Sequence, residues 1–354
     1  MGICPRIEID IKQIRHNTQS LVEQCKKHHI RIAAVTKVFC AIPEIAKALV
    51  DGGVEILADS RIENIKKLKE FNIPKLLLRL PMISQVNDVV KYSDISLNSE
   101  IKTMQALGNA AKIHGVFHKV ILMVDLGDLR EGIWKDQVHE TIENIMKIDG
   151  IKLIGIGTNL TCYGGVIPDN NNLGLLSEIA LYIEDTFNLT LEIISGGNSS
   201  SLYLLQKGIM PQGINNLRLG EAIFLGRETA FGEPITNTYQ DNFILAAEII
   251  ELKEKPSAPI GTIGMDAFGN KPVFEDLGLR KRAILAIGRQ DVPIDGITPI
   301  DNTITKIGAS SDHLIVDLTK TTSTYEVGDE IKFKLNYGAL LQLMTSEYVF
   351  KQIV

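Results

Sequence analysis

Residues 119–157 read KVILMVDLGDLREGIWKDQVHETIENIMKIDGIKLIGIG, and the reading of this stretch decides the fold. It opens on the apolar run 119–125, passes through a glycine-containing polar loop, takes a helical pattern over 136–148 and closes on the apolar run 151–157. Both runs are apolar at consecutive positions. That predicts strands buried on both faces, as in a parallel sheet covered by helices. Working outward, runs of the same kind lie at 31–36, 54–58, 76–80 and 94–97 before it, and at 191–195 and 217–225 after it. Helical stretches separate them at 43–51, 60–71, 100–113 and 173–187, and an amphipathic helix over 11–29, with Asp10 as its N-cap, precedes the first. Eight such runs are the strand count of a (β/α)8 barrel. An open doubly wound sheet alternates too, but no GxGxxG follows the first strand. After residue 238 the texture changes: 243–252, 282–288, 303–308, 313–318 and 331–336 read as strands between Gly, Pro, Asp and Asn turns. The expected fold class is therefore α/β. A barrel is expected over 11–238, a mostly-β C-terminal domain over 239–354, and an N-terminal strand over 1–10 that can join the β domain.

Composition narrows the function classes. The 354 residues are 45% hydrophobic and 23% charged, as in ordinary globular domains. A net charge of −6 without any basic block argues against nucleic acid or an anionic membrane as partner. Cys4, Cys25, Cys40 and Cys162 form no CxxC pair, so neither a disulfide framework nor a metal site is expected. MGICPRIEID carries no apolar signal core, and no stretch reaches the apolar length of a membrane span, so a cytoplasmic protein is expected.

In a barrel of this kind the chemistry sits where the strands end. The first run is followed by Thr36-Lys37, the fifth by Asp125 and Arg130, the sixth by Thr158-Asn159, and the seventh by Ser195-Gly196-Gly197-Asn198-Ser199-Ser200-Ser201. The eighth carries Arg218, Gly220 and Glu221. The glycines and hydroxyls of the seventh loop suit an anion, and barrels commonly hold phosphate after strands seven and eight. A lysine at the end of a buried strand offers an amine for a Schiff base, although alone Lys37 would read as a snorkelling side chain. With a phosphate cradle at the same mouth, the pair predicts pyridoxal 5'-phosphate (PLP) as cofactor. Arg218 remains a donor and, at the pyridine nitrogen, would keep that nitrogen neutral, which suits simple proton removal and return. Its plain alternative is an ion pair with Glu221.

These residues also carry a resemblance. PRIEIDIKQIRHN, AVTKVFC, VDLGDLREG, GGNSSS, LRLGEAIFLG, SSDHLIVDLT and LNYGALL occur in the order and spacing of motifs of the alanine racemase family, and together they resemble it along essentially the whole chain. The resemblance implies that Lys37 carries PLP and that Arg130 contacts its ring oxygen. It also implies that Asn198, Ser199, Gly220, Glu221 and Tyr337 bind the phosphate and that Arg218 faces the ring nitrogen. The strand-end position adds Asn159 to the cofactor-binding set, and Arg130 is carried into the substrate-binding set as well. Segments such as LLLRLPM, NLTCYGG, MDAFGNKP and RKRAILAIG are most similar to members that racemise ornithine. That implies a small-molecule amino acid substrate, ornithine, with lysine, arginine or alanine as alternatives. It further implies a head-to-tail homodimer in which each β domain covers the other subunit's barrel mouth.

Three departures from the family pattern stand out. Phe39-Cys40-Ala41 replaces a phosphate-contacting tyrosine stretch, and Met123 stands where some members have a lysine. Thr262, in IGTIGMDAFG, falls in place of the catalytic tyrosine. The second acid/base is therefore open, with Asp266 and His313 the leading candidates and Cys162 and Tyr163 behind them. Asp266 competes for a second role, with Ser311 and Asp312, in meeting the substrate side chain. Two other functions compete with racemisation. A non-catalytic PLP carrier would be a single barrel, without the β domain. A fold-related decarboxylase or aldolase is the other, and a decarboxylase would be expected to set a carboxylate, not Arg218, at the ring nitrogen.

Overall fold

The computed structural model describes residues 2–354, and the chain divides into two compact units: Lys12–Gln240, and the segment ending at Ile11 together with Asp241–Val354. The strand β1 (Arg6–Ile9) and the helix α1 (Ile11–Lys26) come first. Next come β2 (Arg31–Val35), α2 (Pro43–Asp51), β3 (Ile56–Asp59), α3 (Ile62–Lys67), β4 (Lys75–Leu77), α4 (Val86–Tyr92), β5 (Ile95–Asn98) and α5 (Ile101–Ile113). The unit continues with β6 (His118–Met123), α6 (Val138–Met146), β7 (Ile151–Gly157), α7 (Asn170–Phe187), β8 (Ile193–Ser195), α8 (Leu202–Gln206), β9 (Asn216–Leu219) and α9 (Glu221–Leu225).

β2 to β9 form a closed barrel of parallel strands, with β9 returning to pair with β2. Ala33, Val35, Ile56, Ala58, Leu97 and Met123 belong to one buried cluster drawn from β2 through β8. Side chains from so many strands meet only in the barrel interior, and they recur at every second position, as strand geometry requires. Ala33 lies in register with Ile56 on one side and with Arg218 on the other, so Arg218 shares the interior face. Gly155 permits the β7–β8 approach, since a Cβ there would stand 2.1 Å from the Ile193 carbonyl oxygen.

The run 217–225 is not one strand. It breaks at Gly220, after which α9 begins. Ala222, Ile223, Phe224 and Leu225 are all buried, so this helix has the unbroken apolar texture of a buried strand. Periodicity cannot separate the two in so short a run.

The other unit is a sheet in the order β12–β15–β10–β11–β14–β13. Its strands are β10 (Phe243–Pro256), β11 (Leu279–Leu285), β12 (Ile297–Pro299), β13 (Thr305–Ala309), β14 (Leu314–Asp317), β15 (Glu330–Leu335) and β16 (Phe350–Ile353), with one helix, α10 (Tyr337–Thr345). β1 pairs antiparallel with β10 and parallel with β16. β12 and β16, of three and four residues, are too short for their period to show in sequence. Between β10 and β11 runs an exposed segment in which Ile260, Met265 and Val273 face solvent. Barrel plus mostly-β unit is the fold class expected from the sequence.

Candidate active site

The carboxyl ends of the barrel strands bring the polar residues together. β2 ends at Val35, Thr36 caps a 3₁₀ turn over Lys37–Phe39, and Lys37 is half-buried there. The Thr36 hydroxyl donates to Asp59 Oδ2 at 2.5 Å. Asp59 ends β3 and is fully buried. Burial pushes its carboxyl up, while hydrogen bonds from Thr36, the Arg61 amide and Asn64, and the charge of Lys37, pull it back. Glu221, at the start of α9, feels the same forces. Burial raises its carboxyl, opposed by the charge of Arg227, whose Nε lies 3.2 Å away, and by that of Lys37. Lys37 therefore sits in the field of two carboxylates, Asp59 and Glu221.

Arg218 is buried in the barrel end, 4% exposed. Its guanidinium donates to Ser195 Oγ at 2.5 Å, to the Thr158 carbonyl at 2.7 Å and to Asn159 Oδ1 at 3.5 Å. Ser195 in turn donates to Asn216 Oδ1 at 2.7 Å. Burial pulls Arg218 down to about 10, helped by Arg130 and opposed by Glu131, so it remains a cation at neutral pH.

The loop after β8 folds around its own polar groups. Asn198 Oδ1 accepts the Ser200 amide at 2.8 Å, and Asn198 Nδ2 reaches Asn159 Oδ1, the Leu160 carbonyl and Cys162 Sγ at 3.2, 2.8 and 3.4 Å. Ser199 Oγ accepts the Ala222 amide at 3.2 Å, which ties this loop to α9 beyond Gly220. Ser200 Oγ, Thr158 Oγ1 and Asn159 Nδ2 are buried with no hydrogen-bond partner among the described residues. Unsatisfied buried donors are costly, and three of them at the ends of β7 and β8 mark a place built for a polar group from outside the chain.

The loop after β6 presents Arg130 at the surface, paired with Glu131 and in contact with the Cys162 sulfur. Glu131 raises the guanidinium above its ordinary value. Asp128, buried, ties this loop to the next by accepting the Tyr163 amide at 3.0 Å and the Val166 amide at 3.2 Å.

The remaining sequence candidates lie in the other unit. Asp266 is exposed, and its Oδ1 accepts the Phe268 and Asn270 amides at 2.9 and 2.8 Å, which hold its carboxyl below the usual range. The Ser311 hydroxyl donates to Asp312 Oδ2 at 2.9 Å, and His313 Nδ1 lies 3.5 Å from Ser310 Oγ. Arg289 links these segments. Its Nε donates to the Ala309 carbonyl at 3.0 Å, its guanidinium lies over the Phe268 ring, and its charge acts on Asp266. Tyr337 opens α10 and is half-buried. The structure thus joins Lys37, Asn159, Asn198, Ser199, Arg218, Gly220 and Glu221 at one barrel end, with Arg130 on the adjoining loop. In the other unit, Asp266 lies in the field of Arg289, whose Nε and backbone amide hold the Ala309 and Ser310 carbonyls just before Ser311, Asp312 and His313. Sequence reasoning passed over Asp59 and Asp128. For Asp59 the available signal was an acid directly ending an apolar run, a pattern that turns share, whereas Asp128 lies inside the loop after β6.

The sequence profile of the family "Alanine racemase, N-terminal domain" matches residues 9–228. Ornithine racemase from Acetoanaerobium sticklandii is 54% identical over 351 residues, covering 99% of each chain. Lysine racemase from Thermotoga maritima is 40% identical over 351 residues, covering 99% of this chain and 98% of that one. Alanine racemase from Bartonella henselae, solved with covalently bound pyridoxal phosphate, superposes with a TM-score of 0.76 over the whole of both chains at 17% identity, which shows the shared fold. A barrel matched along its length and whole-chain identity to racemases lead to one conclusion: the chain belongs to the alanine racemase family, as an amino acid racemase.

Proposed function

We propose that this enzyme interconverts L- and D-ornithine with pyridoxal phosphate held at Lys37. The observation that carries the reading is the 54% identity to ornithine racemase, which spans 99% of both chains. The barrel end fits the cofactor. Buried, unpartnered Ser200 Oγ, Thr158 Oγ1 and Asn159 Nδ2 stand beside Asn198 and Ser199, a set of donors suited to a phosphorylated ring. Bound there, pyridoxal phosphate would act as an electron sink that acidifies the α-proton of the substrate.

The protein's own groups do the rest. Lys37 takes and returns the proton at the substrate Cα from one face. Arg218, oriented by Ser195 and the Thr158 carbonyl, would serve as a permanent donor to the ring nitrogen and would keep that nitrogen free of a proton. Asn198, Ser199, Gly220, Glu221 and Tyr337 would hold the phosphate, with Asn159 in the same cofactor-binding set, and Arg130 would meet the ring oxygen and the substrate carboxylate. Asp266, kept anionic by its own turn, is better suited to receive a substrate ammonium than to supply a proton. With Ser311 and Asp312 it forms the side-chain subsite, and His313 carries the proton on the second face.

All four of those residues belong to the β-rich unit. We assign the barrel unit to the cofactor and the β-rich unit to closing the mouth of a second copy, in a head-to-tail homodimer. The exposed Ile260, Met265 and Val273, in the same segment as Asp266, give that unit an apolar surface for the purpose. Cys4, Cys25, Cys40 and Cys162 form no disulfide among the described residues, which suits a reducing compartment, and we place the enzyme in the cytoplasm.

The test is kcat/KM for L-ornithine, L-lysine, L-arginine and L-alanine on one preparation. Ornithine should lead, with lysine second. Alanine should trail by ~10⁴, because a site that pairs a charge rejects substrates that lack it. Alanine within tenfold of ornithine would remove the ornithine assignment. Borohydride reduction followed by peptide mapping should find the pyridoxyl group on Lys37, and Lys37→Ala should abolish it.

A further inference from the structure

Asp59 takes no part in the reaction just described, yet it is a fully buried carboxylate beside the cofactor lysine. A carboxylate out of water needs hydrogen bonds and a cation to persist. Its hydrogen bonds all serve the turn that presents Lys37 or the helix behind it. Oδ2 accepts the Thr36 hydroxyl at 2.5 Å, Oδ1 accepts the Arg61 amide at 2.8 Å, and Asn64 Nδ2 lies 3.2 and 3.3 Å from the two oxygens. The cation acting on it is Lys37 itself.

The turn in question needs anchoring. Cys40 and Ala41, just past Lys37, are consecutive non-glycine residues at φ of 54° and 52°, a region that L-residues enter only at a cost. The segment is pinned at both ends. Thr36 donates its amide to the Ala58 carbonyl at 2.8 Å and its hydroxyl to Asp59, while Lys67 Nζ holds the Cys40 carbonyl at 2.8 Å. The other acid acting on Lys37, Glu221, is already paired with Arg227. Asp59 forms no such ion pair with a guanidinium among the described residues.

We infer that Asp59 is a positioning residue for Lys37, acting through the Thr36 hydroxyl to fix where the amine is presented. The inference rests on reading Lys37 as the cofactor lysine. It does not make Asp59 a catalytic residue, since its hydrogen bonds go to Thr36, the Arg61 amide and Asn64.

Holoenzyme carrying Asp59→Asn and, separately, Thr36→Val provides the test. Two quantities are measured on each: total pyridoxal phosphate released by acid, and the share of it that borohydride fixes to Lys37. The phosphate donors on the loops after β7 and β8 are untouched, so total cofactor should stay near wild type. The ratio of fixed to unfixed cofactor should fall about tenfold, the scale of one hydrogen bond to a charged group. Racemisation of α-deuterated ornithine gives a second readout. The isotope effect should rise for the enantiomer whose proton Lys37 takes and stay level for the other, with KM changed far less than kcat. Unchanged fixation and isotope effects in both variants would overturn the proposal. So would a proportional loss of total and fixed cofactor in both, which is the mark of a purely structural residue. A wild-type enzyme with its pyridoxyl group on another lysine would fell the Lys37 reading first, and this inference with it.

Discussion

His118 shows at the scale of one residue how burial sets a pH limit. It begins β6, is 2% exposed, and shares a 2.8 Å hydrogen bond between Nε2 and Ser96 Oγ. Burial pulls its pKa down from 6.5 to about 4, against a small opposing pull from Asp94. Below the unfolded value the unfolded chain binds a proton that the native state refuses. The stabilising contribution is therefore complete above pH 6.5 and is lost as pH falls toward 4, by about 3 kcal/mol across that window. Denaturant unfolding between pH 7 and 4.5 should show this loss, and His118→Gln should flatten it by close to one proton. An equal slope in the variant would show that His118 does not carry the effect. Single residues differ in how openly the sequence displays them. Lys37 stands out because a charge directly after RIAAVT is incongruous. Asp59 does not, because an acid after ILA reads equally well as the start of a turn.

At the scale of an element, the loop after β8 and the cap of α7 make a matched pair. Gly197 has φ of 100°, and a Cβ there would lie 3.1 Å from Ser201 Oγ, which already donates to the Gly196 carbonyl at 2.6 Å. Gly197→Ala should cost about 1–3 kcal/mol in backbone strain and also weaken pyridoxal phosphate binding, because it distorts the loop that carries Asn198 and Ser199. Asp169 caps α7 by accepting the Asn172 amide at 2.8 Å, with Asn172 reciprocating. Asp169→Ala should cost about 1 kcal/mol and leave cofactor affinity unchanged. Melting curves of the cofactor-free variants, with equilibrium titrations of pyridoxal phosphate, separate the two outcomes. Equal cofactor affinity in both variants would deny the loop its role. Elements this size were legible where their period ran long, as in α1 and α5. They were illegible where the chain changed element inside one apolar run, as at Gly220.

For the whole molecule the expectation is a dimer. Tyr337 and the Asp266–His313 group lie outside the barrel unit, so a complete site in the proposed reading needs the β-rich unit of a second copy. Sedimentation at assay concentrations should give a mass twice that of the chain. Mixing Lys37→Ala with a Tyr337→Phe/His313→Gln double variant, each inactive alone, should restore up to about a quarter of wild-type activity by random pairing of subunits, because one of the two sites in each mixed dimer is intact. A fully active monomer would rule the arrangement out.

The barrel and its attached β-rich unit were readable before any coordinates. Strands buried on both faces leave an unbroken apolar run in the chain, and a parallel sheet places all their carboxyl ends, with Lys37 and Arg218, on one side. Register was not readable. The stretches IAAV at 32–35 and ILA at 56–58 are apolar at every position, so sliding either strand by two residues keeps the same face buried, and no local pattern selects among the alternatives. Closure of β9 onto β2 makes that selection. It sets Ala33 opposite Arg218, the β2–β3 pairing sets Val35 opposite Ala58, and together they put the guanidinium on Ser195 and the Asp59 carboxylate against Thr36. Those contacts join residues far apart in the chain, and only the packed barrel brings them within hydrogen-bonding distance.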